Sequence, residues 1–233
     1  MKRSGWLYLF IGNFLLEILA IANHWDTMAM VTKPLLIALL ITWFISVSNQ
    51  QSSLRYWVVA ALFFSWVGDV FLMIPETANL YFMAGLASFL LAHILYIIFF
   101  IRIRSNRLPT PPWRIGIIVL IAAYTISLYI FLLPHLGNLT IPVAFYAITI
   151  SVMLLMAIHA LPLDKQSSSY GFIIGAILFV ASDSLLAMNK FNQPFAVADI
   201  SIMATYGIAQ FALVYAASIY LGGLPRTKRP GTE

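Results

Sequence analysis

A chain of 233 residues with 62% hydrophobic and only 9% charged residues is excluded as a water-soluble domain, in which roughly a quarter of residues are charged. It holds no cysteine, so disulfides, thiolate nucleophiles and Cys-based metal sites are excluded as well. Its net charge of +5 does not point to nucleic acid, because the basic residues sit in short loops between apolar runs.

A bilayer admits only structures that satisfy the backbone internally, which means helices or a closed barrel. The apolar runs here are long and continuous, whereas barrel strands alternate in short segments. The expected fold is an all-α polytopic membrane protein, one integral-membrane domain built as a bundle of eight transmembrane helices. The first segment, at about 5–23, follows Met1-Lys2-Arg3 and imitates a secretory signal, with Ala20-Ile21-Ala22 as its cleavage box. It is long for that role and carries Glu17, so it is taken as a span. Asn13, Glu17 and His24 share one helical face. The second segment, at about 33–48, is the shortest and is opened by Lys33-Pro34. The third, at about 54–74, places Ser65 one turn before Asp69. The fourth, at about 79–101, has a stripe of Phe82, Gly85, Phe89, His93 and Tyr96.

The fifth and sixth segments, at about 113–133 and 140–159, contain no acid. The seventh, at about 169–188, carries Gly171 and Gly175 in a small-xxx-small pattern that permits close helix packing, then Ser182-Asp183. The eighth, at about 196–222, lines up Asp199, Tyr206 and Gln210, and a basic tail fills 223–233.

With the N-terminus inside, Lys2, Arg3, Arg55, Arg102, Arg104, Arg107, Arg114, Lys165, Arg226, Lys228 and Arg229 are cytoplasmic. Only Lys33 and Lys190 lie outside. That bias predicts both termini in the cytoplasm, and it places a bacterial chain of this kind in the inner (plasma) membrane. Asp69-Val70-Phe71-Leu72 echoes Asp183-Ser184-Leu185-Leu186, as Trp6 echoes Trp113 and Pro34 echoes Pro142. A parallel 4+4 pseudo-repeat explains these pairs, and chance among apolar segments explains them equally well.

An ionisable group inside a span is costly and marks a candidate site. Glu17, Asp69 and Asp183 each fall six residues before an outer helix end, about 9 Å down at helical rise. Asp199 is shallower. All four acids therefore lie in the outer half of the bilayer. Two carboxyls sharing a low-dielectric site can hold one proton between them, which suits acid–base work. Asp69 and Asp183 are the expected catalytic pair. Glu17 and Asp199 suit a supporting role or a solvated helix mouth equally. His93 and Gln210 come out about 20 Å deep, out of contact with the carboxyls, and His93 suits a core histidine at least as well as a catalytic one. Metal binding is not expected, since no His residues stand at ligand spacing, and no cofactor is implied.

At these residues the chain resembles the YhhN-like lysoplasmalogenase family. The likeness runs through Lys33-Pro34-Leu35, residues 64–72 around Gly68-Asp69, residues 85–96 with His93 and Tyr96, residues 175–183 ending in Ser182-Asp183, and Tyr206-Gly207-Ile208-Ala209-Gln210. The resemblance implies hydrolysis of the vinyl-ether bond of a lysoplasmalogen, a lysophospholipid held in the bilayer. The products would be a fatty aldehyde and glycerophosphocholine or glycerophosphoethanolamine. It maps the family's catalytic pair onto Asp69 and Asp183. On that footing Lys33 would meet the lipid phosphate, and Phe89 and Tyr96 would hold the alkenyl chain. Ser65, Ser182, Tyr206 and Gln210 are expected in supporting roles on their place along the helices. Two other classes stay open on the residues alone. One is a proton-coupled transporter of small molecules, and the other is a non-catalytic lipid-binding protein whose acids join helices.

Overall fold

The computed structural model describes residues 3–48, 52–74, 80–104, 113–160 and 167–223. Among these the chain is helical. The helices are α1 (Arg3–Ala22), α2 (Asp26–Val47), α3 (Arg55–Met73), α4 (Leu80–Ile103), α5 (Trp113–Leu132), α6 (Thr140–Ala160), α7 (Ser167–Ala187) and α8 (Ala198–Gly222). All eight spans are long and apolar enough to cross a membrane, so the protein is a multi-pass integral membrane protein. Lys2, Arg107, Lys165, Arg226, Lys228, Arg229 and the tail beyond Gly223 lie outside the described residues.

Consecutive helices run antiparallel and pack as pairs, α1 on α2, α3 on α4 and α7 on α8, with α4 also packed on α6. The α7–α8 pair is tight because Gly171 faces Ala216 and Gly175 faces the backbone of Ala209 and Leu213. On the other pair, Gly68 leaves the space that the Phe89 ring fills. The main core runs through Phe44, Leu62, Tyr96, Phe99, Phe100, Phe172 and Phe179. By contrast α5 is peripheral, with only 11% of its span buried, so most of its surface faces lipid.

Helix α2 departs most from the expected boundaries. It begins at Asp26, not at Lys33, so it is among the longer helices. Asp26 breaks the apolar run, yet an acid in the first turn favours a helix start, where the macrodipole is positive. Pro34 therefore lies inside the helix rather than opening it. Its missing N–H leaves the Met30 carbonyl without a helical donor, a defect that membrane helices tolerate when neighbours supply partners. Nearby, Trp66 Nε1 donates to the Pro34 carbonyl at 3.0 Å and ties α3 to α2. His24 is also off the expected stripe, since α1 ends at Ala22 and His24 makes the turn with φ of 57°.

Candidate active site

A cavity of about 870 Å³ opens at the end of the bundle where α1 meets α2, α3 meets α4 and α7 meets α8. Glu17, Asp69, Asp183 and Asp199 all line it, together with Asp26 of α2, so five helices deliver an acid to one space. Each arrives by ordinary helical geometry, the side chain projecting from a span whose other faces are packed or lipid-facing.

Asp69 is 3% exposed. Its Oδ2 accepts a hydrogen bond from the Tyr206 hydroxyl at 2.7 Å, joining α3 to α8. Behind Tyr206 the chain of contacts continues: Gln210 Nε2 donates to the Tyr206 oxygen at 3.4 Å, and Tyr96 donates to Gln210 Oε1 at 3.1 Å. A buried polar network of this kind fixes side chains only when its members are satisfied, and here each has a partner.

Asp183 is held in the same manner by a different tyrosine. The Tyr146 hydroxyl, on α6, donates to its Oδ2. Asp183 is more open than Asp69, at 13% side-chain exposure. The two carboxyls are close enough to interact electrostatically. Each thus has one tyrosine donor, from different helices, and a face left toward the cavity.

His93 departs from expectation. Its Nε2 lies 3.9 Å from Asp183 Oδ2, beyond hydrogen-bond reach but adjacent. Depth counted from each helix's own end assumes level ends, and they are not level. A π-helical turn at Met188–Asn192 prolongs α7, so Asp183 sits deeper than the count to Asn189 implies. The His93 ring is fully buried, edge-on to Tyr146 and Phe179, with no hydrogen-bond partner at either nitrogen.

The other candidates divide by place. Phe89 and Ser182 line the cavity. Phe89 packs edge-on against Tyr206 at 5.9 Å, and Ser182 Oγ donates to the Ile202 carbonyl at 3.0 Å. Asp199 lies exposed in the first turn of α8. Lys33 is not at the mouth. With α2 starting at Asp26 it lies about 10 Å further in, on the cavity wall, where it interacts electrostatically with Glu17 and Asp69. Tyr96 is 1% exposed, sealed beneath the site and absent from the cavity wall, so it supports Gln210 rather than holding a chain. Ser65 is fully buried, outside the cavity, and its Oγ has no partner.

Glu17 gains a partner that spacing did not suggest. Thr32 on α2 donates its hydroxyl to Glu17 Oε2, and Asn13 Nδ2 donates to the Thr32 carbonyl at 2.8 Å. Glu17 is 1% exposed, so Thr32→Val leaves a buried acid without its donor. The expected cost is about 1–3 kcal/mol, read as a lower thermal unfolding midpoint in detergent. Thr32→Ser, which keeps the hydroxyl, should recover most of it. Tyr146 was missed for a similar reason. A tyrosine inside an apolar span shows no periodic signal, and its one clue is that a buried Tyr hydroxyl usually finds a partner.

The family model described as the YhhN family matches residues 28–217. Among curated proteins, the chain is similar to a protein named lysoplasmalogenase from Mycobacterium bovis, 34% identical over 139 residues, covering 59% of this chain and 51% of that one. It is similar to lysoplasmalogenase TMEM86B of Rattus norvegicus at 31% identity, covering 88% and 78% respectively. The Homo sapiens protein of that name is 33% identical, covering 75% and 68%. The chain thus spans about half the length of its mycobacterial relatives and more of the animal ones. No solved structure matches it.

Proposed function

This chain belongs to the YhhN family, and from that premise we propose that it hydrolyses the vinyl-ether bond of a lysoplasmalogen. Fatty aldehyde and glycerophosphocholine or glycerophosphoethanolamine are the products. The observation that carries the proposal is the meeting of Asp69 and Asp183 in one cavity, each held by a tyrosine hydroxyl.

The chemistry needs two groups of that kind. A vinyl ether is electron-rich at the carbon one removed from oxygen. A carboxylic acid protonates that carbon, the double-bond pair forms the new C–H bond, and the adjacent carbon becomes an oxocarbenium centre. The second carboxylate takes a proton from water as its oxygen bonds that centre, giving a hemiacetal. Collapse breaks the bond to the glycerol oxygen, which takes the proton from the second carboxyl. The hemiacetal hydroxyl proton returns to the first, and both acids are restored. One water is consumed, and only protons move.

The surrounding residues fit the two parts of such a substrate. Lys33 on the wall and Lys190 near the mouth supply positive charge for a phosphate, and Lys190 also lies over the Phe82 ring at 4.9 Å. In the N-in, C-in orientation that loop charge favours, the cavity opens toward the outer leaflet. The test is aldehyde release by the purified protein in detergent. A lysoplasmenylethanolamine should yield aldehyde, and the saturated alkyl-ether analogue, which cannot form the oxocarbenium centre by protonation, should yield none. Release from neither would overturn the proposal and leave the transporter and lipid-binding alternatives standing.

A further inference from the structure

Asp183 stands at a junction. On one side is the large cavity, with Lys33, Asn189 and Lys190 on its wall. Two small apolar crevices, of about 40 and 60 Å³, reach the same carboxyl; the smaller also shares Leu72, Phe82, Phe89 and Leu186 with the large cavity, whereas the larger shares Asp183 alone. They share Val143, Tyr146 and Ala187, so they form one path around Tyr146. The larger runs between α5, α6 and α7, past Leu128, Ala147 and Val180. The polar groups along it have partners: Tyr124 donates to Ser184 at 2.8 Å, Thr125 bonds Ser151 at 2.6 Å, and Tyr129 donates to the Thr140 carbonyl at 3.3 Å. Its outer wall is α5, the least enclosed helix, so the crevice lies beside lipid. Asp69 lines the large cavity and neither crevice.

A lysoplasmalogen has the same division. Its glycerophospho end is charged, its chain is apolar, and the reacting bond is the joint between them. A substrate that matches polarity to polarity puts that joint where the two surfaces meet, and they meet at Asp183. We propose that the crevice between α5, α6 and α7 is the binding site for the alkenyl chain, entered past Val143 and Ala187 alongside Asp183. The first carbons of the chain lie in the crevice and the remainder passes beside α5 into the bilayer. This inference rests on the vinyl-ether reading above and deepens it, because it assigns the two acids. The carbon that takes the proton is on the chain side of the ether oxygen, next to Asp183, so Asp183 is the acid. Water enters from the polar cavity, so Asp69 is the group that deprotonates it.

Ala147→Trp places an indole in the crevice and leaves both carboxyl residues unchanged in sequence. The test compares wild type and this variant on two vinyl-ether lysophospholipids that share a headgroup, one with a hexadecenyl chain and one with an ethenyl group, which has no carbon beyond the reacting pair to enter the crevice. The ratio of kcat/KM for the long over the short substrate is expected to fall roughly tenfold or more, as an overfilled apolar site demands. An unchanged ratio would overturn the crevice proposal while leaving the hydrolase reading intact. Aldehyde release by wild type from neither substrate would overturn the hydrolase reading itself. A second measurement covers a variant that fails to fold. A non-hydrolysable alkyl-ether lysophospholipid with a diazirine a few carbons along its chain is photolysed on the wild-type protein. Labelling of α5, α6 or the adjoining face of α7 is expected, and labelling confined to α1, α2 or α8 would overturn the proposal.

Discussion

Asn in place of either Asp69 or Asp183 is expected to slow aldehyde release from a lysoplasmenylethanolamine by roughly a thousandfold, the scale on which a positioned acid or base contributes. The substitution preserves shape and hydrogen bonding. An Asn side-chain oxygen still accepts the Tyr206 hydroxyl at 69 and the Tyr146 hydroxyl at 183, so neither tyrosine is orphaned. What is lost is the proton that each carboxyl gives or takes. Both variants should therefore unfold within a few degrees of wild type while losing turnover. Single-turnover aldehyde assays and thermal unfolding on the same preparations measure the two effects separately. Wild-type turnover by either variant would remove the paired-carboxyl mechanism. Lost stability in proportion to lost activity would instead assign the acids to helix packing.

The two positions are not equivalent in their surroundings. Asp69 is sealed by Tyr206, which Gln210 and Tyr96 hold from below, and it shares the field of Lys33 with Glu17. Asp183 has Tyr146 and the buried ring of His93 beside it and is the more open of the two. One carboxyl thus shares its field with a lysine and a second acid, and the other stands beside the rings of Tyr146 and His93. A reaction that protonates carbon and then adds water calls for that contrast.

The spans were legible because eight continuous apolar runs admit few other folds, and the acids were legible because a carboxyl inside such a run is rare. What escaped was whatever depends on two helices at once. Nothing in α2 marks Thr32 as the donor to Glu17, since a threonine in a span most often bonds its own helix, as Thr32 also does at the Met28 carbonyl. Nothing in α6 marks Tyr146, which lies on a helix with no acid of its own. The start of α2 escaped because Asp26 reads as the end of an apolar run when it serves as the acid of a first helical turn. His93 was placed too far from Asp183 because depth along one helix is not depth in the bundle once α7 is extended by a π-helical turn.

That dependence on pairs of helices makes Gly175 the most sensitive position outside the site. A Cβ there would stand 2.9 Å from the Leu213 backbone nitrogen and 3.0 Å from the Ala209 carbonyl oxygen, both in α8. Side chains can rotate away from a new methyl, but helical backbone cannot move without the whole helix. At Gly68 the obstacle is the Phe89 ring alone, which is the milder case. Gly175→Val must therefore push α7 and α8 apart. These two helices carry Asp183 and Tyr206, so separating them also moves Asp183 away from the Tyr206–Asp69 pair. The expected cost is about 3 kcal/mol or more, enough to deplete the folded protein on purification and to abolish aldehyde release in what remains. Size-exclusion recovery and thermal unfolding in detergent would measure it. Gly116→Val on lipid-facing α5, where an added Cβ meets nothing within 4 Å, is the matched control and should behave as wild type. Equal recovery of the Gly175 and Gly116 variants would mean that the close approach of α7 to α8 is not what holds the site together.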